Sequence, residues 1–361
     1  MIGHRIDRLV AAALRASRHR AILYVLSPYA TGPSHLEKAM PFTNTEATAY
    51  GLLAMYAMDM YRVQQDPRKP PVLTPPPAPG LVAAGWNILA YITGKDSLLP
   101  ERPPKGPLPL IDQTVYYGYL AQRTPGEMVA VIRGTDGFVE WVEDAEFLPV
   151  PYAPRIALPA GLGTVLVEQG FSTLYASLEL ISPKGESLGP LAPAVVTSAG
   201  MVGTLVTVVG HSLGAALATY LTLDLARGGL GKRVSACLFA SPQTGNQAFV
   251  KLFDQTITDY GLFNYLLDIV PRVPRGPDYS PLPRRTVIQP ATAEAKIRFD
   301  IGCNHHVICY CAMLDYEETM KATTPVPPGE EDSATCILGP QNGNPSLAEQ
   351  LVNDLAGIIP V

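Results

Sequence analysis

Charged residues are scarce in this sequence. Of its 361 residues, 16% are Asp, Glu, Lys or Arg and 47% are hydrophobic, whereas roughly a quarter of an average globular chain is charged. Lys and Arg number 27 against 32 Asp and Glu, which gives a net charge of −5. Because no basic tract is present to neutralise phosphates, we expect no nucleic-acid partner. The high apolar content also excludes a chain that is mostly disordered.

The longest stretch without any charged residue covers positions 187–223, which is 37 residues. A hydropathy window would flag such a run as a membrane span. However, Pro190 and Pro193 interrupt it, and the rest divides into a strand at 205–209, a sharp turn and a helix at 215–226. Each piece is too short to cross about 30 Å of hydrocarbon. We therefore predict a buried core and no transmembrane segment.

Cysteine is scarce as well. Five residues are too few for a disulfide scaffold, and an odd number leaves at least one cysteine free or paired with another chain. They are Cys237, Cys303, Cys309, Cys311 and Cys336. Three of them cluster with His305 and His306, but the spacing matches no common zinc pattern. We predict no metal and no cofactor, and we expect buried thiols, with a local disulfide left open.

The first twenty residues carry five Arg and one Asp, a local charge of +4. Apolar residues recur there at helical spacing, which predicts a basic amphipathic helix in an N-terminal extension, residues 1–40. The helix has two open interpretations, a structural element or a targeting segment. Its apolar stretch is too short for a convincing secretion signal, so a secreted and a cytoplasmic location both stay open.

Proline is abundant, with 36 residues. Most of them occur in clusters that predict loops, including flexible segments at about 66–80 and 322–345. We interpret these clusters as loops over one core, so residues 41–361 are predicted to form a single domain.

From residue 113 onward, apolar runs typical of strands alternate with helical patterns. Strands are predicted at 113–121, 128–132, 205–209, 236–239 and 265–270, helices at 43–65, 171–180 and 215–226, and either helix or strand at 86–93. Continuous apolar strands separated by helices imply a mostly parallel sheet with helices on both faces. The predicted fold class is α/β.

The sequence GHSLG at 210–214 is the motif that points to chemistry. It lies between the predicted strand at 205–209 and a helix rich in Ala and Leu, which is the strand, turn and helix of a nucleophile elbow. The helix N-terminus would place free N–H groups and a positive dipole beside Ser212. Ser212 is therefore the candidate nucleophile, and the Leu213 N–H is a candidate oxyanion donor.

A serine nucleophile needs a base, and the base needs an orienting carboxylate. In α/β hydrolases these residues follow in the order Ser, Asp, His. Two histidines lie after the elbow, His305 and His306, and the order alone does not choose between them. Among the acids in between, Asp268 ends an apolar, strand-like segment at 264–274, where such sites are assembled. Asp268 is therefore the candidate acid.

The predicted strand at 128–132 runs into Arg133-Gly134-Thr135. Thr135 can offer both its N–H and its hydroxyl to a tetrahedral oxyanion, with the Leu213 N–H as a second donor. Taken alone, this tripeptide would be an ordinary loop. The predicted role depends on the motifs around it.

Five motifs in order, spread over about 200 residues, resemble the fungal-type or class 3 lipases of the α/β-hydrolase fold. They are RGTDGFVEWVEDAEFLPVPY (133–152), VEQGFSTLY (167–175), GHSLGAALA (210–218), FASPQTGN (239–246) and DIVPRVP (268–274). The resemblance implies an α/β-hydrolase fold with triacylglycerol lipase or related carboxylester hydrolase activity. It also implies the roles given above for Ser212, Asp268, Thr135 and Leu213.

The resemblance bears on the choice of base as well. In many members of this family a Tyr follows the catalytic His by five residues, and Tyr310 follows His305 at that distance. His305 is therefore favoured, with His306 as the alternative.

The segment at about 136–149 resembles the lid of that family. Its predicted apolar stripe contains Phe138, Trp141, Val142, Phe147 and Leu148. A closed lid would cover Ser212, and an open one would offer an apolar surface to lipid, although a fixed surface helix fits the pattern too. Five acids and no base in this segment disfavour anionic bilayers. The predicted partner is therefore neutral lipid or ester at an oil–water interface.

Two other functions stay open at this point. A feruloyl or polyester esterase would use the same catalytic residues on a different ester. A lipase-like binding protein without catalysis is disfavoured, because a nucleophile, an acid, a base and an oxyanion segment are all present in the sequence.

Overall fold

The computed structural model describes residues 41–64, 69–95, 113–124, 126–135, 147–154, 158–200 and 204–341. Of these, the residues up to Ile288 and from Ala293 onward form one compact unit. Gln289–Thr292 falls outside that unit and forms a turn in which the Thr292 N–H donates to the Gln289 carbonyl (3.0 Å). The predicted extension 1–40 and most of the predicted lid lie outside the described residues.

The described helices are α1 (Asn44–Arg62), α2 (Pro79–Ala83), α3 (Gln169–Ser177), α4 (Leu191–Ala199), α5 (Leu213–Leu225), α6 (Gln247–Thr256), α7 (Val307–Leu314), α8 (Tyr316–Ala322) and α9 (Glu331–Ala334). The described strands are β1 (Asn87–Lys95), β2 (Thr114–Thr124), β3 (Glu127–Ile132), β4 (Pro149–Pro151), β5 (Leu166–Glu168), β6 (Glu179–Ile181), β7 (Ser187–Pro190), β8 (Leu205–His211), β9 (Val234–Phe239), β10 (Tyr260–Tyr265), β11 (Arg285–Ile288), β12 (Ala295–Ile297) and β13 (Ile337–Pro340).

Nine of these strands form one sheet in the order β11-β10-β9-β8-β3-β2-β1-β6-β7. The strands β3, β8, β9, β10 and β11 run parallel to one another, and the other four add on antiparallel. The carboxyl ends of the five parallel strands therefore meet at one edge of the sheet, where α/β proteins assemble their sites.

Helices cover both faces of this sheet. Along β8, Val206 and Val208 point into the core that α5 completes with Leu217 and Leu221. The residue between them, Thr207, points to the opposite face, where its hydroxyl lies 3.4 Å from the Tyr50 hydroxyl of α1. This alternation is the period of two expected for a strand. The predicted α/β class, with a mostly parallel sheet between helices, is confirmed.

Several predicted boundaries differ from the structure. The strand predicted at 265–270 was wrong, because β10 spans Tyr260–Tyr265 and the next residues form a turn. The helix predicted at 171–180 ends at Ser177, and the strand β6 follows at once. Residues 86–93, left between helix and strand, belong largely to β1. The loop predicted from residue 322 contains both α9 and β13.

None of the described helices is both long and apolar enough to cross a bilayer. The uncharged run instead contributes to α4, β8 and α5, with the elbow between the last two. In the described part of the chain, no three His, Cys, Asp or Glu side chains lie together as a metal site would need.

A buried acid on α1 has consequences for stability. Asp59 is 3% exposed and lies beside Glu330, whose carboxylate pairs with Arg62. Burial, followed by the negative charge of Glu330, raises the pKa of the Asp59 carboxyl well above its usual range. The folded state therefore keeps a proton that the unfolded chain releases above about pH 4. The free energy of unfolding should fall as pH rises above this value.

Asp59→Asn should remove this dependence, because an amide does not titrate. Between pH 5 and pH 8 we expect the free energy of unfolding of the variant to fall less steeply than that of wild type. The two slopes should differ by up to about 1.4 kcal/mol per pH unit, the value for one proton. Urea unfolding over this pH range measures the slope. Asp278→Asn, at an exposed carboxylate, is the matched control and should keep the wild-type slope. Equal slopes for Asp59→Asn and wild type would contradict the assignment.

Candidate active site

The nucleophile elbow predicted from GHSLG is present. Ser212 lies between the end of β8 and the start of α5, is fully buried, and has φ 59° and ψ −129°. A non-glycine residue at positive φ costs on the order of 1–3 kcal/mol and persists where the surrounding structure enforces it. Here the turn lifts the serine hydroxyl out of the strand and places it at the edge where the parallel strands end.

Two glycines make this turn sterically feasible. A Cβ on Gly210 would lie 2.3 Å from the Gly214 carbonyl oxygen, and one on Gly214 would lie 2.2 Å from the Ile132 carbonyl oxygen. Both distances are well inside van der Waals contact. The glycines therefore allow α5 to cross close to both β8 and β3.

His305 approaches the serine from the loop before α7. Its Nε2 lies 2.8 Å from the Ser212 Oγ, and its Nδ1 lies 2.8 Å from the Asp268 Oδ2. His306, the alternative base, caps α7 instead, and its Nδ1 lies 3.4 Å from the Ser333 Oγ. The structure therefore brings His305, and not His306, to the serine.

Asp268 is almost completely buried, three residues beyond the end of β10. The prediction that it ends a strand was therefore wrong in detail, although the residue does lie past the carboxyl end of a parallel strand. Its Oδ1 accepts from the Val270 N–H (2.9 Å), and its Oδ2 accepts from the Tyr310 hydroxyl (2.8 Å) and from His305. Besides the contact of Oδ2 with the imidazole, each oxygen thus accepts one further hydrogen bond, which fixes the carboxylate.

Tyr310 ties the acid to the sheet. While its hydroxyl donates to Asp268, the same oxygen accepts from the Tyr265 N–H at the end of β10 (2.8 Å). From the sequence, Tyr310 served only to favour His305 over His306 by its spacing, and no contact of its own was predicted. Tyr310 lies near the start of α7, five residues after His305 in the sequence.

Sequence reasoning missed His211, the residue before the nucleophile. Its Nε2 lies 2.7 Å from the His305 carbonyl oxygen, and the two rings are 4.8 Å apart. Because a carbonyl only accepts, Nε2 must carry the hydrogen. Burial, followed by the neighbouring His305, lowers the pKa of His211 well below its usual value. A neutral His211 therefore holds the backbone of His305, and its adjacency to Ser212 was the available signal.

The two predicted oxyanion donors flank the serine. Leu213 is the first residue of α5, so its N–H has no acceptor within the helix. Thr135 follows Gly134, and a Cβ on Gly134 would lie 3.2 Å from the Ser212 Cβ. The described part of the loop after β3 therefore passes directly against Ser212, and its last described residue, Thr135, is half-buried.

Of the predicted lid residues, Phe138, Trp141 and Val142 lie outside the described residues. Phe147 is half-buried against the core, and Leu148 is 53% exposed. The Leu148 carbonyl accepts from the Gln169 N–H at the start of α3 (2.9 Å). The opening and closing of a lid stays a prediction.

A disulfide anchors the loop that carries the candidate base. Cys303, two residues before His305, is bonded to Cys336, which follows α9. The other cysteines, Cys237, Cys309 and Cys311, are buried thiols. The structure thus contains the expected buried thiols, whereas its disulfide spans 33 positions and is not a local one.

Removing this disulfide should destabilise the fold. It closes a loop over a separation of 33 residues, for which loop-closure entropy gives about 3–4 kcal/mol. We expect Cys303→Ala/Cys336→Ala to lose about that much unfolding free energy in urea, and excess dithiothreitol to have the same effect on wild type. Reductant should change nothing further in the double variant. If wild type were equally stable with and without reductant, the disulfide would contribute nothing to folding.

Comparison with known proteins agrees with this geometry. The family model Lipase (class 3) matches residues 129–277, which include Thr135, Ser212 and Asp268. This stretch of the chain is similar to the class 3 lipases. The resemblance described from the motifs is thereby confirmed.

Curated proteins similar to this chain include two plant proteins. The chain is 30% identical over 177 residues to phospholipase A1-II 6 of Oryza sativa subsp. japonica, which covers 42% of this chain and 41% of that protein. It is 29% identical over 213 residues to the chloroplastic phospholipase A(1) DAD1 of Arabidopsis thaliana, covering 54% and 46%. The chain thus spans less than half the length of both relatives.

Solved structures similar to the chain include two fungal lipases. The Rhizomucor miehei lipase propeptide complex shares 19% identity at a TM-score of 0.46, over 73% of this chain and 74% of that one. The nonglycosylated Yarrowia lipolytica LIP2 lipase also shares 19% identity, at a TM-score of 0.48, over 69% and 80%.

Proposed function

We propose that this chain is a serine hydrolase of lipid carboxylesters. The observation that carries the proposal is the continuous chain of contacts from the Ser212 Oγ to the His305 Nε2 and from the His305 Nδ1 to the Asp268 Oδ2, each 2.8 Å. Nucleophile, base and orienting acid thus stand within hydrogen-bond reach in the required order. An elbow strained at Ser212 is also hard to explain without a function for that serine.

In the proposed reaction, Ser212 attacks the ester carbonyl while His305 takes the hydroxyl proton. Asp268 stays ionised, holds the imidazole in one tautomer and stabilises its positive charge. His305 then gives the proton to the leaving alcohol, and an acyl-enzyme forms. Water repeats the sequence on the acyl-enzyme and releases the carboxylic acid, so the serine is regenerated.

The negative charge that develops on the carbonyl oxygen needs donors that are already in place. We assign this task to the N–H groups of Leu213 and Thr135, with the Thr135 hydroxyl as a third donor. The N-terminus of α5 adds the positive end of its dipole. These donors strengthen their hold as charge develops, and so they favour the transition state over the bound ester.

For the substrate we favour triacylglycerol, in line with the uncharged, apolar composition and the acidic lid sequence. A phospholipid cleaved at one acyl ester is the second candidate, because the two curated relatives described above are named phospholipases A1. A feruloyl or polyester substrate would use the same catalytic residues, and we rank it third.

A panel of four esters tests the proposal. Initial rates would be measured with the purified full chain on triolein, tributyrin, phosphatidylcholine and methyl ferulate, with the lipids presented as emulsions or mixed micelles. We expect the highest kcat/KM on the acylglycerols, at least about tenfold above the other two, which corresponds to about 1.4 kcal/mol.

Each other outcome of the panel points elsewhere. A preference for phosphatidylcholine would replace triacylglycerol by the second candidate, and a preference for methyl ferulate would favour the third. No hydrolysis of any ester would contradict catalysis and favour a lipase-like binding protein.

A further inference from the structure

Arg133 is buried beside the candidate oxyanion loop in an unusual way. It follows β3 directly, is 1% exposed, and ranks among the largest fully buried side chains. Within the described ranges, no carboxylate lies within 4.0 Å of its guanidinium. A buried cation without an ion-pair partner is costly, since it loses its hydration.

Aromatic rings and carbonyls take the place of a carboxylate. The guanidinium carbon lies 3.4 Å from the ring centroid of Tyr61 and 4.7 Å from that of Tyr117. Its Nε donates to the Tyr116 carbonyl (2.8 Å) and its Nη1 donates to the Gly134 carbonyl (2.7 Å). Cation–π contacts and charge-assisted hydrogen bonds compensate the buried charge. These contacts also hold the Arg133 guanidinium in one orientation.

The hydrogen bond from Arg133 to the Gly134 carbonyl is important because this carbonyl belongs to the peptide that joins Gly134 and Thr135. The Gly134 carbonyl and the Thr135 N–H belong to the same planar, trans peptide, so they point in opposite directions. Fixing the carbonyl on Arg133 therefore fixes the direction of the Thr135 N–H. This peptide lies beside the nucleophile, since a Cβ on Gly134 would lie 3.2 Å from the Ser212 Cβ.

The charge of Arg133 acts on the same peptide. A buried cation that donates to a carbonyl polarises the peptide, and the N–H at its other end becomes a stronger donor. In a buried site of low effective dielectric, the cation also favours negative charge nearby. Both effects grow as the carbonyl of the ester becomes an oxyanion, and both are weak toward the neutral ester.

We propose that Arg133 is a positioning residue that orients and polarises the Thr135 N–H for oxyanion stabilisation. The inference rests on the proposed function, because it assigns Arg133 a part in the same reaction. Arg133 does not touch the ester itself. Its effect should therefore appear in kcat, while substrate binding stays nearly unchanged.

The test compares Arg133→Met and Arg133→Lys with wild type on p-nitrophenyl butyrate. Removing a direct oxyanion donor costs about 100- to 1,000-fold in kcat. For the indirect loss in Arg133→Met, we expect kcat to fall about 10- to 100-fold with KM within about threefold. Arg133→Lys keeps the positive charge but lacks the planar guanidinium, and so it should recover part of the lost kcat. Active-site titration would normalise all rates to folded, reactive enzyme.

Arg284→Met is the matched control. Arg284 also lies over a ring, 4.9 Å from Tyr260, and its Nη1 donates to the Thr258 carbonyl (2.6 Å). It precedes β11, at the opposite edge of the sheet from Ser212. We expect its loss to lower stability but to leave kcat per titrated site within about threefold of wild type.

A second readout separates oxyanion stabilisation from a structural role. A trifluoromethyl ketone places an oxyanion on the serine adduct, so its affinity should fall in Arg133→Met by about the same factor as kcat/KM. The pH profile of kcat/KM should keep its shape, because the contacts of His305 are untouched. If Arg133→Met does not fold, Arg133→Lys alone carries the test, with kcat reduced and KM retained.

The outcomes that overturn the inference are distinct from failure of the proposed function. An active wild type with kcat of a folded Arg133→Met within about threefold of it would overturn the role of Arg133 alone. Where Arg133→Met does not fold, wild-type kcat in Arg133→Lys would do the same. So would unchanged affinity for the ketone. A wild type that does not hydrolyse the ester would overturn the proposed function, and the role of Arg133 with it.

Discussion

Replacing Ser212 by alanine is expected to lower kcat for ester hydrolysis by at least about 1,000-fold and by as much as the order of a million-fold. The loss should be this large because Ser212 forms the acyl-enzyme, and a methyl group cannot replace the bond-forming oxygen. Hydrolysis of p-nitrophenyl butyrate, followed by the release of p-nitrophenol, measures the effect over several orders of magnitude.

Ser235→Ala is the control for Ser212→Ala. The Ser235 hydroxyl lies on β9, 3.0 Å from the Thr207 hydroxyl on the α1 face of the sheet. Its removal deletes one hydroxyl from the same sheet but leaves the triad untouched, and so we expect activity close to wild type. Residual activity of Ser212→Ala above about one part in a thousand, at wild-type stability, would exclude Ser212 as the nucleophile.

Replacing His305 by alanine should have an effect of similar size, because residues of a triad act as a unit and the loss of the base disables the nucleophile. The neighbouring His306 provides a demanding control. Its Nδ1 lies 3.4 Å from the Ser333 Oγ, and so we expect His306→Ala to keep kcat within about tenfold of wild type. The same p-nitrophenyl ester assay, with thermal unfolding alongside, compares the two variants.

The reverse ranking would reassign the base. If His306→Ala were inactive and folded while His305→Ala retained most of its activity, the contact of 2.8 Å between His305 and Ser212 would not describe the working site.

Most of the candidate site could be predicted because its residues carry local signals. The turn at Ser212 is predicted by three local patterns that agree with one another: a buried strand, two glycines on either side of Ser212, and an Ala-rich helix. The chain order of this fold limits the base to His305 or His306, and the strand-like segment that contains Asp268 points to the acid. The sequence leaves open whether His305 or His306 faces the serine, and in the structure the His305 ring does so.

The site residues missed by sequence reasoning act through the backbone. Arg133 donates a hydrogen bond to the carbonyl of the next residue, Gly134, and His211 donates one to the carbonyl of His305, 94 positions away. Neither residue type predicts such a contact, since both are more often exposed or directly catalytic. Burial and geometry reveal the contacts.

The fold boundaries failed where the local pattern was weak. The strand β10 contains Gly261 and Asn264, which interrupt its apolar pattern, while the apolar turn after it imitates a strand. The short strand β6 forms by pairing antiparallel with β1, and β7 pairs in turn with β6, so that both extend the edge of the sheet. Such pairings, like the disulfide between Cys303 and Cys336, join distant segments and leave no periodic signal.

The central claim, that Ser212 is an activated nucleophile, is tested most directly by covalent labelling. The purified chain would be treated with a fluorophosphonate, digested and mapped by mass spectrometry. We predict one stoichiometric adduct on Ser212, which is lost in Ser212→Ala and in denatured protein and strongly slowed in His305→Ala. A folded wild type that does not label, or that labels at another residue, would contradict the account.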